Sequence, residues 1–213
     1  MMRGPLRHFL GLLVVVALMA GPAFAGAPLL FGSQEKESSN LALFTQWANA
    51  AQRAISEKAK QMAACTDGKG PTCRYANWIK FLDGLKGTDE MEQIKAVNDF
   101  LNRAKYITDP DNYHVPDVWN SPSEFMDNMG DCEDYAIAKY FSLKHLGIPV
   151  ERLRVVAVQD LNLKTGHAIL AVYVGDHILI LDNQIKQVVD AETIRHYQPV
   201  FSINEKSWWR HTK

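Results

Sequence analysis

"HAILAVYVGDHILILD", residues 167–182, decides the fold. Two runs of branched apolar residues flank Gly175-Asp176, a pair suited to a two-residue hairpin turn with glycine at its first central position. With that turn, Val174 faces His177, and counting back sets Ile169 opposite Asp182. His167 then shares a sheet face with Asp182 as its diagonal neighbour. A carboxylate so placed holds an imidazole in one tautomer and stabilises its charged form. His177 lies beside the turn and points to the other face.

Working outward, "LRVVAVQDL" (153–161) reads as a further strand, and the tail predicts strands around Pro199–Ile203 and Ser207–His211. Upstream of Pro149 the period becomes helical. One helix is expected from Ser39 to about Ala64, with Leu43, Trp47, Ala50, Ala51, Ala54 and Ile55 on one side. A second spans Tyr75–Leu85. A third opens at Thr88 and repeats Ile94, Val97, Leu101 and Ala104. Residues 107–120 read as a loop from their Pro, Asp and Asn content. Ser121, Pro122 and Glu124 form an N-cap, a first-turn proline and a capping-box glutamate for a short helix ending near Gly130. Asp131 starts another, which stops at Gly147 and Pro149. Helices first and an antiparallel sheet afterwards predict an α+β fold.

Composition is that of a globular chain: 47% hydrophobic, 22% charged, net charge −1. Nothing there attracts nucleic acid. The opening "MMRGPLRHFLGLLVVVALMAGPAFA" has Arg3 and Arg7, a short apolar run and an A-x-A site. It reads as a signal peptide, residues 1–25, because the run is short for a span of about 20 residues. The expected mature protein is a single domain, 26–213, with a helical lobe over about 36–147 and a sheet lobe over about 150–213. It works outside the cytosol, and no other segment is expected to insert in a membrane. In that compartment Cys65 and Cys73, bracketing "TDGKGPT", read as a disulfide.

Cys132 is then left over, at the start of the helix in "NMGDCEDYAIAKY" (128–140). A lone cysteine in a helix is commonly a small buried hydrophobe. Helix-start N–H groups and an adjacent imidazolium nevertheless lower a thiol pKa. Cys132, His167 and Asp182 then make a nucleophile, its base and an orienting group. The Cys132 N–H is a candidate oxyanion donor, with Trp119 as a second. Asp131, Glu133 and Asp134 surround the sulfur. One or two carboxylates are ordinary in a first helical turn, but three oppose thiolate formation. A divalent cation would cancel their field, and calcium suits oxygen ligands outside the cell.

"GDCEDYAIAKYFSLKHLGI", "GHAILAVYV" and "ILDN" resemble the bacterial transglutaminase-like cysteine proteases, most closely the LapG-type periplasmic adhesin proteases. The likeness runs from about Trp119 to the C-terminus and fits the helical lobe and export signal. It implies a papain-like, transglutaminase-like fold with Cys132, His167 and Asp182 as triad. It also implies calcium held by Asp131 and Glu133, with Asp134 a further ligand. The substrate it implies is a large surface adhesin, cut near its N-terminal end beside paired alanines to release it and end biofilm attachment. The implied inhibitory partner is the periplasmic domain of an inner-membrane cyclic-di-GMP receptor. Alternatives are a transglutaminase or amidase acting as an acyl transferase, or a non-catalytic binding module on the same fold.

Overall fold

The hairpin pairs as counted: Val174 lies opposite His177 and Leu170 opposite Leu181, with Gly175 at φ 56°. These coordinates are a computed structural model that describes residues 28–66 and 68–213. The signal peptide expected over residues 1–25 lies outside the described residues.

Among the described residues, seven strands form one antiparallel sheet: β1 (Gln34–Ser38), β2 (Leu153–Asp160), β3 (Thr165–Val174), β4 (His177–Leu181), β5 (Val189–Asp190), β6 (Tyr197–Ile203) and β7 (Trp208–Thr212). Their order is β1-β7-β6-β2-β3-β4-β5. Alternate residues feed two cores. Val155, Leu170, Val172 and Leu181 pack on the helices, whereas Val156, Ile169, Ala171 and Ile180 pack with Leu30, Ala191, Ile194 and Tyr197 behind the sheet. Both faces are therefore buried, which is why these strands read as continuous apolar runs.

The helices are α1 (Thr45–Ser56), α2 (Lys58–Ala64), α3 (Arg74–Leu85), α4 (Glu90–Leu101), α5 (Asp109–Tyr113), α6 (Pro122–Asn128) and α7 (Cys132–His145). The single helix expected over 39–64 is two, with Glu57 between them. Trp47 and Ala50 face the core, but Leu43 precedes the helix and Ile55 points outward, so they are 80% and 66% exposed. The cap of α4 is Asp89, whose carboxylate accepts the Met91 and Glu92 N–H groups; the Thr88 hydroxyl turns back to Leu85 O. The expected loop over 107–120 contains α5. The Ser121–Glu124 capping box is present.

Helix α7 is the hub. It packs on β2, β3, α4 and α6, and its residues Asp134–Leu143 are all buried. The sheet edges β1 and β5 carried no apolar alternation in sequence. "QEKES" is a polar edge strand, and such charge blunts further pairing. Glu35 of β1 is tied inward by Arg154 at 2.7 Å, and Arg154 in turn lies 3.6 Å from the Trp209 ring centroid. Cys65 and Cys73 form the expected disulfide, leaving Cys132 free. No helix among the described residues is long and apolar enough to cross a membrane.

Candidate active site

The strand register delivers His167 and Asp182 to each other. His167 Nε2 donates to Asp182 Oδ1 at 2.9 Å, and both side chains are buried. The carboxylate also accepts the Gln184 N–H (2.8 Å) and the Tyr197 hydroxyl (2.7 Å). Burial alone would raise the Asp182 pKa. The hydrogen bond and charge of His167, with these further donors, outweigh it and hold the carboxyl below its usual range. With Nε2 committed, Nδ1 is the nitrogen left for chemistry; the Gln184 side-chain amide lies 3.4 Å from it.

Cys132 is the first residue of α7, half-buried, and α7 packs on β3, where the backbone N–H of Ala168, next to His167, opposes the rise in the thiol pKa. The thiol proton itself goes to Glu133 Oε2 at 3.1 Å, not to His167. Burial pushes the Cys132 pKa up, and the charges of Glu133 and Asp131 push it further. Burial and these acids together thus favour the neutral thiol.

Those acids are more numerous than the sequence signature suggested. Asp109, from α5, and Asp117, from the loop after it, join them. Oxygens of Asp109, Asp131 and Asp134 lie within 4.8 Å of one another, as do those of Asp109, Asp117 and Glu133. Asp109 Oδ2 accepts the Val118 N–H, but its Oδ1 and the Oδ1 of Asp131 are buried with no hydrogen-bond partner among the described residues. Unpartnered buried carboxylate oxygens converging in this way fit a hard cation. Asp134 is more fully engaged: it takes the Asn120 N–H and side-chain amide (2.7 and 2.8 Å) and the Asp131 N–H (3.3 Å). Its first role is to pin the loop to the helix start. Asp109 and Asp117 escaped the sequence reading because acids in a loop rich in Pro and Asn look like turn residues. Trp119 packs at the edge of the helical core, its carbonyl accepting from Arg53 at 2.7 Å.

Gly130 makes this junction possible. A Cβ there would sit 1.9 Å from Asp134 Oδ2 and 2.8 Å from Asp134 Cβ. The second contact is with the root of the side chain, so rotating the carboxylate does not relieve it. Gly130→Ala is expected to cost about 3 kcal/mol, the upper end of overpacking penalties. Urea denaturation measures this, and an unchanged midpoint would mean that the junction adapts.

The model of one protein family, described as bacterial transglutaminase-like cysteine proteinase, matches residues 65–212. This chain belongs to that family. Among solved structures, Legionella pneumophila LapG is 32% identical with a TM-score of 0.63, covering 74% of this chain and 87% of LapG. Its calcium-bound form gives 32% and 0.64 over the same shares of the two chains. Its EGTA-treated form gives 32% and 0.63, covering 74% of this chain and 84% of that one. A comparison with curated proteins returns no match. As a transglutaminase-like cysteine proteinase, the chain brings a single free cysteine, a His–Asp pair and an acidic cluster to one junction between helices and sheet.

Proposed function

We propose that this proteinase is an exported, periplasmic, calcium-dependent endopeptidase. On this reading it cuts the N-terminal region of a large surface adhesin and is restrained by the periplasmic domain of a cyclic-di-GMP receptor. One observation carries the chemistry: His167 of β3 is held by Asp182 through Nε2, and α7, which begins at Cys132, packs on that same strand. The adhesin and the receptor are supported by the family likeness, and the calcium-bound and EGTA-treated forms of LapG support the metal.

His167 Nδ1 takes the Cys132 proton, and the thiolate attacks the scissile carbonyl carbon. The oxyanion that forms is held by the Cys132 N–H at the helix start. As the C–N bond breaks, His167 returns the proton to the leaving amine. Water, deprotonated by the same nitrogen, then hydrolyses the thioester. Asp182 keeps the ring in the tautomer this needs. Asp109, Asp117, Asp131 and Glu133, with Asp134 beside them, would hold calcium, which when bound supplies the positive charge that neutralises the field around the sulfur.

The direct test is to incubate the mature protein, with calcium, with the N-terminal region of each large adhesin encoded in the same genome. A discrete cut beside paired alanines, prevented by adding the receptor's periplasmic domain, is the expected result. If every such region stays intact, the substrate reading is wrong.

A further inference from the structure

Gln184 already occupies the nitrogen that the chemistry needs. In neutral His167 the ring proton sits on Nε2 and goes to Asp182, so Nδ1 presents a lone pair, and the Gln184 side-chain amide donates to it at 3.4 Å. The Cys132 proton must enter at that same lone pair. Glutamine and thiol therefore compete for one acceptor. At 3.4 Å the contact is longer than an ordinary hydrogen bond and is readily given up. The backbone beneath it is fixed: the Gln184 N–H donates to Asp182 Oδ1 at 2.8 Å. On either side, Asp182 O and Lys186 O accept the amides of Asn102 and Asn98, both at 2.8 Å. Gln184 is nonetheless exposed, and the contact with His167 is its side chain's one hydrogen bond among the described residues.

The same place has room for a peptide. Strand β3 begins before β4 can pair with it: Leu170 opposite Leu181 is the end of their ladder, so residues 165–169 have no strand partner on that side among the described residues. Thr165 and Gly166 are exposed, and a Cβ built on Gly166 would meet no heavy atom within 4 Å. A free strand edge of this kind takes up extended polypeptide through main-chain hydrogen bonds. A carboxamide carries both the donor and the acceptor of a peptide group, so the Gln184 side chain can pair with one. We propose that Gln184 is a substrate-binding residue that rests on the base in the free enzyme. An incoming peptide group draws the amide off His167, and the freed Nδ1 lone pair then receives the Cys132 proton. The base is thus released when substrate arrives and is occupied otherwise. This deepens the peptidase reading and rests on it.

The two roles give one substitution opposite signs in two reactions. Gln184→Met keeps the length of the side chain and its backbone N–H, and removes the amide. The full, non-reduced variant is compared with wild type in calcium. The first reaction is that of Cys132 with methyl methanethiosulfonate, a small thiol reagent without a peptide group. With its competitor gone the base is free, and the variant is expected to react about threefold faster, the scale of one weak hydrogen bond. The second is cleavage of peptides from a tryptic digest of a bacterial lysate, followed by kinetics on the most rapidly cut of them. Here the variant is expected to lose about fivefold in kcat/KM through a higher KM, because a contact to bound substrate is missing. Gln184→Ala serves as a second variant should the first not fold. An unchanged or slower thiol reaction overturns the proposal, since Gln184 would then not restrain the base. So does a faster thiol reaction with unaltered or raised kcat/KM, which leaves Gln184 no part in binding substrate. A wild type that cuts no peptide sinks the peptidase reading and this proposal together; a wild type that cuts, beside a variant equal to it in both reactions, sinks this proposal alone.

Discussion

Cys132→Ala is expected to abolish peptide cleavage, a loss of about 10⁴-fold or more, while the protein stays folded. The sulfur makes one side-chain hydrogen bond, to Glu133, and is half-buried, so its removal should change stability by no more than about 1 kcal/mol. His167→Ala separates the nucleophile from its activation. Cys65 and Cys73 are tied in a disulfide, so iodoacetamide applied to the non-reduced protein reads Cys132 alone. Wild-type protein should alkylate rapidly at neutral pH, and the His167→Ala protein should lag by about 10²-fold or more, the contribution expected of a general base. Equal rates in the two proteins would show that the imidazole does not activate this thiol, and the mechanism would fall.

Removing calcium should have a comparable effect on activity and a large one on stability. Without a cation, burial raises the Glu133 pKa to about 9 and the Asp134 pKa to about 8, with the charge of Asp131 adding to both, and Asp131 is itself raised by burial. The thiol is left donating to Glu133. Excess chelator is therefore expected to stop cleavage and to slow Cys132 alkylation. At a calcium concentration about 100 times its Kd, binding contributes about 2.7 kcal/mol, so melting should drop by roughly 5–10 °C for a domain of this size. The chelated protein should also show an unusual pH dependence. Carboxyls whose folded pKa lies above the unfolded value near 4 bind more protons folded than unfolded between about pH 4 and pH 9. Stability in chelator should therefore fall as pH rises through that window, and calcium should flatten the slope. Cleavage and melting that are indifferent to chelator would remove the metal from the mechanism.

Much of this site was legible before any coordinates. The glycine of the 175–176 turn fixes a register, and the register alone places His167 diagonal to Asp182. The capping box at Ser121 and the stop at Gly147 are equally local, written in residues that act on their own backbone. What could not be read is what depends on the path of the chain. Asp109 and Asp117 reach the cluster because their segment is tied down at both ends, the Ile107 N–H to Gly130 O and Asn120 to Asp134. Strand β1 forms because β7 offers it an edge, not because "QEKES" favours extension. Lys139 sits within a run whose neighbours are apolar or aromatic, and only the packing of α7 on every side shows that it has no route to water.

The pairing of β1 with β7 sets the timetable of assembly. The strand at residues 34–38 is made before every other strand described, yet its ladder partner among the described residues is 208–212, which follows all of them in sequence. A closure spanning so much sequence is slow, and until it happens Trp208 and Trp209 have an open edge beside them. A chain threaded outward from its N-terminal end would therefore emerge with β1 waiting, and maturation of the whole sheet would depend on delivery of residues 208–212.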